Sequence, residues 1–222
     1  MFLSIDTCGS SGSVALAGLT DDRLAVLAQT SLAGKTYSAQ LVPAIRHLLT
    51  AHRISVADLA GIVVTSGPGS FTGIRIGLAT AKGLAEASSI PIVAVSRLAV
   101  LAGKAQTQSA AFDASRNEFY FRDGSGGDPV ESLVTCGAFA ARAAALGAQL
   151  AVCEAAVHTL APAATLVPAP TAFDAIESAL ARLRARDCDD PLLLDGNYIR
   201  RSDAEIFSAP DAPARPKPAP RA

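Results

Sequence analysis

Between Thr65 and Glu86 the chain reads TSGPGSFTGIRIGLATAKGLAE, a glycine-rich turn joined to a helix with an unusual distribution of side-chain sizes. The apolar run Gly61-Ile62-Val63-Val64 before it reads as a strand. Gly67-Pro68-Gly69 ends that strand in a tight turn, with Pro68 presetting φ and Gly69 free to take φ > 0. Ser70 or Thr72 then caps the helix. Along the helix Gly73, Gly77, Ala81 and Ala85 recur every four residues as one smooth ridge, with Phe71, Ile74, Leu78 and Leu84 as bulk beside it. Glycine inside a helix costs up to about 1 kcal/mol relative to alanine, so two on one ridge imply a closely approaching backbone. That backbone belongs either to this chain's own core or to a partner, and the ridge alone leaves both open.

Glycine-rich turns also cradle phosphates at helix N-termini, but the spelling here departs from the common versions. A Walker loop needs lysine after its last glycine, where Gly73 is followed by Ile74 and Arg75. A dinucleotide fingerprint starting at Gly67 and Gly69 needs glycine where Thr72 stands.

A chain of 222 residues, half of them hydrophobic, is long enough for one large domain or two small ones with real cores. The first 105 residues carry a net +3 and the remainder −4, so neither half has the basic excess of a protein that binds nucleic acid on its own. Cys8, Cys136, Cys153 and Cys188 form no Cys-x-x-Cys pair, which fits reduced packing thiols better than a disulfide framework or a zinc site. No charged n-region precedes an apolar h-region, and no run approaches the roughly 18 apolar residues of a spanning helix. The expectation is a cytoplasmic protein without a membrane partner.

The pattern predicts a meander of strands at residues 1–5, 13–17 and 24–28, then a helix with Leu41, Ile45, Leu48 and Leu49 on one face. Pro43 fits that helix if it lies in the first turn. Strand 62–65, the small-ridge helix and strand 91–95 follow, giving a mixed sheet with helices packed on it. A helix from Ser96 leads to strands near 110–113, 118–121 and 131–135, and to helices over 139–146 and 173–186. The ending SAPDAPARPKPAPRA offers neither ladder donors nor core bulk and reads as a disordered tail.

With the Asp6-Thr7 hairpin, SAQLVPAI at 38–45 and TSGPGSFTGIRIGLATAKGLA in order, the sequence resembles the TsaB family, also called YeaZ, of bacterial tRNA threonylcarbamoyladenosine synthesis. The likeness extends to ASRNEFYF at 114–121 and NYIRRSDAEIF at 197–207. It implies an α/β, actin-like, Hsp70-like ATPase fold of two lobes, each a mixed sheet flanked by helices. On that expectation residues 1–98 form an N-terminal lobe carrying the partner-interface helices, 99–207 a smaller C-terminal lobe, and 208–222 the tail.

The resemblance further implies a non-catalytic subunit that supports the catalytic paralogue TsaD, with the ATPase TsaE as third component. Together they add threonylcarbamoyl to the adenosine beside the anticodon of ANN-decoding tRNAs. The expected interface comprises Leu41, Ile45, Leu48, Phe71, Gly73, Ile74, Gly77, Leu78 and Ala81, because two adjacent apolar helices leave a patch too large for a soluble monomer. The same surface is expected to form a homodimer in isolation. Gly77→Leu is then expected to weaken association and leave the fold intact.

In TsaD an H-x-x-x-H motif helps hold a metal just after the strand that corresponds to 91–95. Here Arg97 and Leu101 stand in those positions, and neither binds a metal. His47 and His52 are five apart, a poor ligand spacing, and His158 is remote in sequence. No metal or cofactor is therefore expected on this chain, ATP and metal belonging to TsaD and TsaE. Asp6, Thr7, Ser10 and Gly12 stand where the fold's first hairpin approaches Mg²⁺ and phosphates, although Asp6 reads equally as a turn-former. The second phosphate hairpin would fall at 113–116, which has no glycine to wrap a phosphate. Tyr37 stands where relatives often carry histidine, so no proton-transfer role is carried over to it. Asp113, Arg116, Glu118 and Tyr120 form either an ion-paired hairpin or a site, and Arg200 and Arg201 either touch tRNA phosphates or are solvated charge. The alternative of another class is a stand-alone small-molecule kinase using MgATP. A peptidase, suggested only by an older association of the superfamily with glycoprotease activity, lacks a nucleophile–base pair here.

Overall fold

The computed structural model describes residues 1–21 and 23–200. The run of alternating apolar residues at the N-terminus becomes strands β1 (Phe2–Asp6), β2 (Ser11–Thr20) and β3 (Arg23–Ala33). Helix α1 (Tyr37–Ala51), β4 (Gly61–Gly67), α2 (Phe71–Ser88) and β5 (Ile92–Ser96) complete the first lobe. Its sheet runs β3-β2-β1-β4-β5, with β1 antiparallel to β2 and parallel to β4. β1 and β4 are buried along their whole length because both faces are covered. Leu3, Ile5, Ile62 and Val64 point to one core with α1 and α2, while Phe2 and Val63 point to the other. The period of two splits each strand between two cores.

After α3 (Arg97–Lys104) the pattern repeats. Strands β6 (Ser109–Asp113), β7 (Glu118–Asp123) and β8 (Val130–Thr135) form a second meander, followed by α4 (Cys136–Leu146), β9 (Leu150–Val152), α5 (Ala155–Leu160) and β10 (Thr165–Leu166). The second sheet, β10-β9-β6-β7-β8, has the same order and sense as the first when read from its other end. Two like lobes of this kind are the actin-like, Hsp70-like α/β fold. Helix α6 (Ala172–Ala185) then returns to the first sheet, where Ala175, Ile176 and Ala179 fill the core with Val93 and Val95. A capping box between Thr171 and Asp174 starts it.

Two local readings change. α1 begins at Tyr37, so Pro43 lies beyond the first turn and deprives the carbonyl of Ala39 of its helical donor. β9, α5 and β10, absent from the sequence reading, lie in the alanine-rich stretch where periodicity is faint. The tail at 208–222 lies outside the described residues, as does part of the 99–207 segment.

Candidate functional site

The small-residue ridge of α2 meets the end of β1 in the same chain. A Cβ on Gly73 would lie 2.0 Å from the Thr7 carbonyl oxygen, and one on Gly77 would lie 2.4 Å from Thr7 Oγ1. The contact is tied by a hydrogen bond from Thr7 Oγ1 to Gly73 O at 2.7 Å. Ser70, not Thr72, is the N-cap, its hydroxyl accepting from Gly73 N at 3.2 Å. Gly67, at φ +112°, makes the preceding turn possible.

Most of the residues expected at the interface lie in the first-lobe core. Leu41, Ile45, Leu48, Gly73, Ile74, Gly77, Leu78 and Ala81 are buried inside the first lobe, none of the non-glycines more than 5% exposed. They offer little surface, Leu78 reaching only the floor of a groove on α2 and Gly73 the interlobe cleft. Phe71 is half-buried against Tyr198, ring centroids 4.7 Å apart, with the Arg75 guanidinium 3.9 Å from the Phe71 centroid. The outward faces of the two helices are different residues. Val42 of α1 is 59% exposed, and on α2 Phe71, Arg75, Ala79 and Lys82, with Leu78 beneath them, line a groove of about 760 Å³ together with Leu194 and Tyr198.

A cleft of about 910 Å³ lies between the lobes. One wall is the β1–β2 turn, Gly34 and Lys35 with the first residues of α1, and the N-terminus of α2, and the other is Asp113–Ser115, Tyr120, Glu154 and Arg200. Of the four candidate nucleotide residues only Ser10 lines it. Asp6 is 2% exposed and its carboxylate accepts from Cys8 N at 2.9 Å, the geometry of a turn-former. Thr7 and Gly12 lie buried beneath the floor. Arg97 reaches the cleft with its guanidinium over the Phe112 ring, 4.3 Å from the centroid, while Leu101 is buried in the core under α3.

The second hairpin shows that a loop without glycine still adopts the left-handed backbone. Ser115, Arg116 and Asn117 have φ of 62°, 58° and 60°. Such residues each cost roughly 1–2 kcal/mol, and local bonds hold them there. Asp113 Oδ1 accepts from Ser115 N at 2.8 Å, and Arg200 donates to Ser115 O at 3.2 Å. Glu118 is ion-paired with Arg200, so that part of the charged group is a structural pair. Tyr120 faces the cleft, and burial pushes its hydroxyl above the ordinary tyrosine value. Glu154 accepts from Asp113 N at 2.9 Å, and burial raises its carboxyl as well. Among the described residues no three His, Cys, Asp or Glu side chains come together as a metal site.

Cys8, at the cleft floor, donates to Thr65 O, and burial drives its thiol well above the normal range. Tyr37 donates to Gly9 O at 2.8 Å, and burial, helped by the nearby Asp6 carboxylate, pushes its hydroxyl from 10.0 up to about 12. The folded state therefore holds that proton more tightly than the unfolded chain, and stability falls as pH rises from about 10 to about 12. Thermal melts across that window are expected to show the fall, and Tyr37→Phe is expected to flatten it.

Over residues 27–127 the chain matches the family model of TsaD, tRNA N6-adenosine threonylcarbamoyltransferase. It is 40% identical over 122 residues to the tRNA threonylcarbamoyladenosine biosynthesis protein TsaB of Bacillus subtilis, covering 53% of this chain and 52% of that one. It is 34% identical over 127 residues to the protein of the same name in Escherichia coli, covering 54% and 53%. The chain thus spans about half the length of these curated relatives. Among solved structures, an uncharacterized Pseudomonas aeruginosa protein described as similar to peptidase YEAZ superposes with a TM-score of 0.69 at 24% identity, over 90% of this chain and 99% of that one. YeaZ of the same organism superposes with a TM-score of 0.65 at 23% identity, over 89% and 98%. At such identities these likenesses carry the fold alone.

Proposed function

This chain belongs to the TsaB (YeaZ) family, and from that membership we propose that it serves tRNA threonylcarbamoyladenosine synthesis as a non-catalytic partner of TsaD. In this reading it supports transfer of threonylcarbamoyl to the adenosine beside the anticodon of ANN-decoding tRNAs, with TsaE as third component, in the cytoplasm. No helix among the described residues is long and apolar enough to cross a membrane.

The observation that carries the reading is where the likeness falls. The match to the TsaD model, residues 27–127, contains both α1 and α2. A chain whose helix pair resembles that of another protein is suited to pair with it as like pairs with like, or with a second copy of itself. The outward faces at Val42, Phe71, Arg75, Ala79 and Lys82 are the surface such pairing would use, since the ridge beneath is committed to β1. ATP and metal are left to the partners.

Reconstitution tests this. Purified TsaD and TsaE with tRNA are expected to form threonylcarbamoyladenosine only when this chain is added, while the chain alone forms none. Full modification without it would end the proposal.

The interlobe cleft favours a second reading, a small-molecule kinase using MgATP. Against it, Asp6 is buried and already bonded to Cys8 N. Calorimetry of the chain with MgATP separates the two, because tight binding abolished by Asp6→Ala would favour the kinase.

A further inference from the structure

Tyr198 and Ile199 are adjacent in sequence but sit in different cores. Tyr198 packs with Leu194 on the first-lobe cluster, and Ile199 on the cluster that joins α3 to β6 and β9 of the second lobe. They belong to residues 189–200, which leave α6 and run past the ends of β5 and β4. Asp189 N donates to Ile92 O at 2.9 Å, its carboxylate accepts from Ala94 N at 2.7 Å, and Asn197 N donates to Ser66 O at 2.8 Å. At the far end Arg200 pairs with Glu118 in the second lobe.

Glu131 of β8 stands where these connections converge. It accepts from Ser96 Oγ at 2.6 Å, Arg122 Nη1 at 2.9 Å and Asn197 Nδ2 at 2.6 Å, with its side chain 13% exposed. Ser96 ends β5 and caps α3, the first crossing between the lobes. Asn197 lies in the last crossing. One carboxylate of the second lobe therefore grips two of the three connections to the first, the third being residues 167–171, which lead from β10 into α6.

We propose that residues 189–200 are a strap, that Glu131 is its latch, and that the latch sets how far the two lobes close over the cleft between them. A half-buried carboxylate holding three donors is strongly committed, since charge-assisted bonds in a partly desolvated place exceed neutral ones. Without it, Ser96 and Asn197 lose their acceptor and Arg122 its counter-charge. The second lobe is then held to the first by α3, by the connection into α6 with the Lys104–Asp174 pair beside it, and by the strap's apolar contacts and its Arg200–Glu118 pair. Asp113–Ser115, Tyr120 and Arg200, which form the second-lobe wall of the cleft, would move with it. The proposal concerns this chain's own lobes and does not depend on the identity of any partner.

Hydrogen exchange followed by mass spectrometry on the full chain tests it. Glu131→Ala is expected to speed exchange about tenfold in both cleft walls, residues 8–12, 69–73 and 113–118, and in 195–200, while the central strands β1 and β6 keep wild-type rates. Asn197→Ala removes only the strap's donor and is expected to give the same pattern more weakly. If Glu131→Ala does not fold, Asn197→Ala is read alone by the same criterion. Change confined to the immediate neighbours of the substituted residue, or equal acceleration everywhere, overturns the latch.

Discussion

Gly73→Val is expected to lower folding stability by about 3 kcal/mol, with Gly77→Leu comparable, because each adds atoms where backbone or a pinned side chain already stands. At Gly73 the added Cβ would lie 2.0 Å from the Thr7 carbonyl oxygen. That oxygen cannot retreat cheaply, since Thr7 directly follows β1, which pairs with β2 on one side and β4 on the other. At Gly77 the obstacle is Thr7 Oγ1, fixed by its own bond to Gly73 O. Urea denaturation is the measurement: the midpoint should fall with little change in slope, the signature of a less stable fold exposing the same surface. If Gly73→Val kept wild-type stability and altered only association, the ridge would belong to an interface after all. The sequence expectation was the reverse, a Gly77→Leu protein with intact fold and weakened association.

That reversal shows what spacing reveals and what it omits. The four-residue recurrence of Gly73, Gly77, Ala81 and Ala85 says that a backbone comes close, but not whose. Only the parallel pairing of β1 with β4, which puts Thr7 beside the turn leading into α2, supplies the answer. The first lobe was legible because its strands carry large apolar residues on two faces and its helices carry bulk at i, i+4, i+7. In the second lobe alanine occupies so many positions that β9, α5 and β10 leave little periodic signal, and their cores are filled from distant elements. The cleft was partly legible through Ser10 and the 113–116 hairpin. At that hairpin the lack of glycine does not bar positive φ, because local hydrogen bonds and Arg200 hold Ser115 in a backbone that glycine would enter freely. Glu131 left no mark in sequence: its three donors come from positions 9, 35 and 66 residues away.

Val42→Asp and Ala79→Asp are expected to do what the ridge substitutions do not: leave the fold intact and weaken association with TsaD about thirtyfold or more, the scale of losing a central interface contact. Val42 is 59% exposed on α1, so an aspartate there costs the monomer little. Ala79 is exposed on α2, beside the groove side chains of Phe71, Lys82 and Tyr198, and a carboxylate there remains solvated until a partner covers it. Covering it is the expensive step, because a buried charge without a partner is strongly unfavourable. Lys82 donates to Leu194 O at 3.0 Å, so its ammonium is already engaged and poorly placed to neutralise a new charge. Surface plasmon resonance against TsaD reads the affinity, and sedimentation of the isolated chain reads self-association through the same face. Unchanged melting with lost binding locates the interface on the outward sides of α1 and α2. Unchanged binding for both variants would remove these helices from the interface, and the pairing of like helices with them.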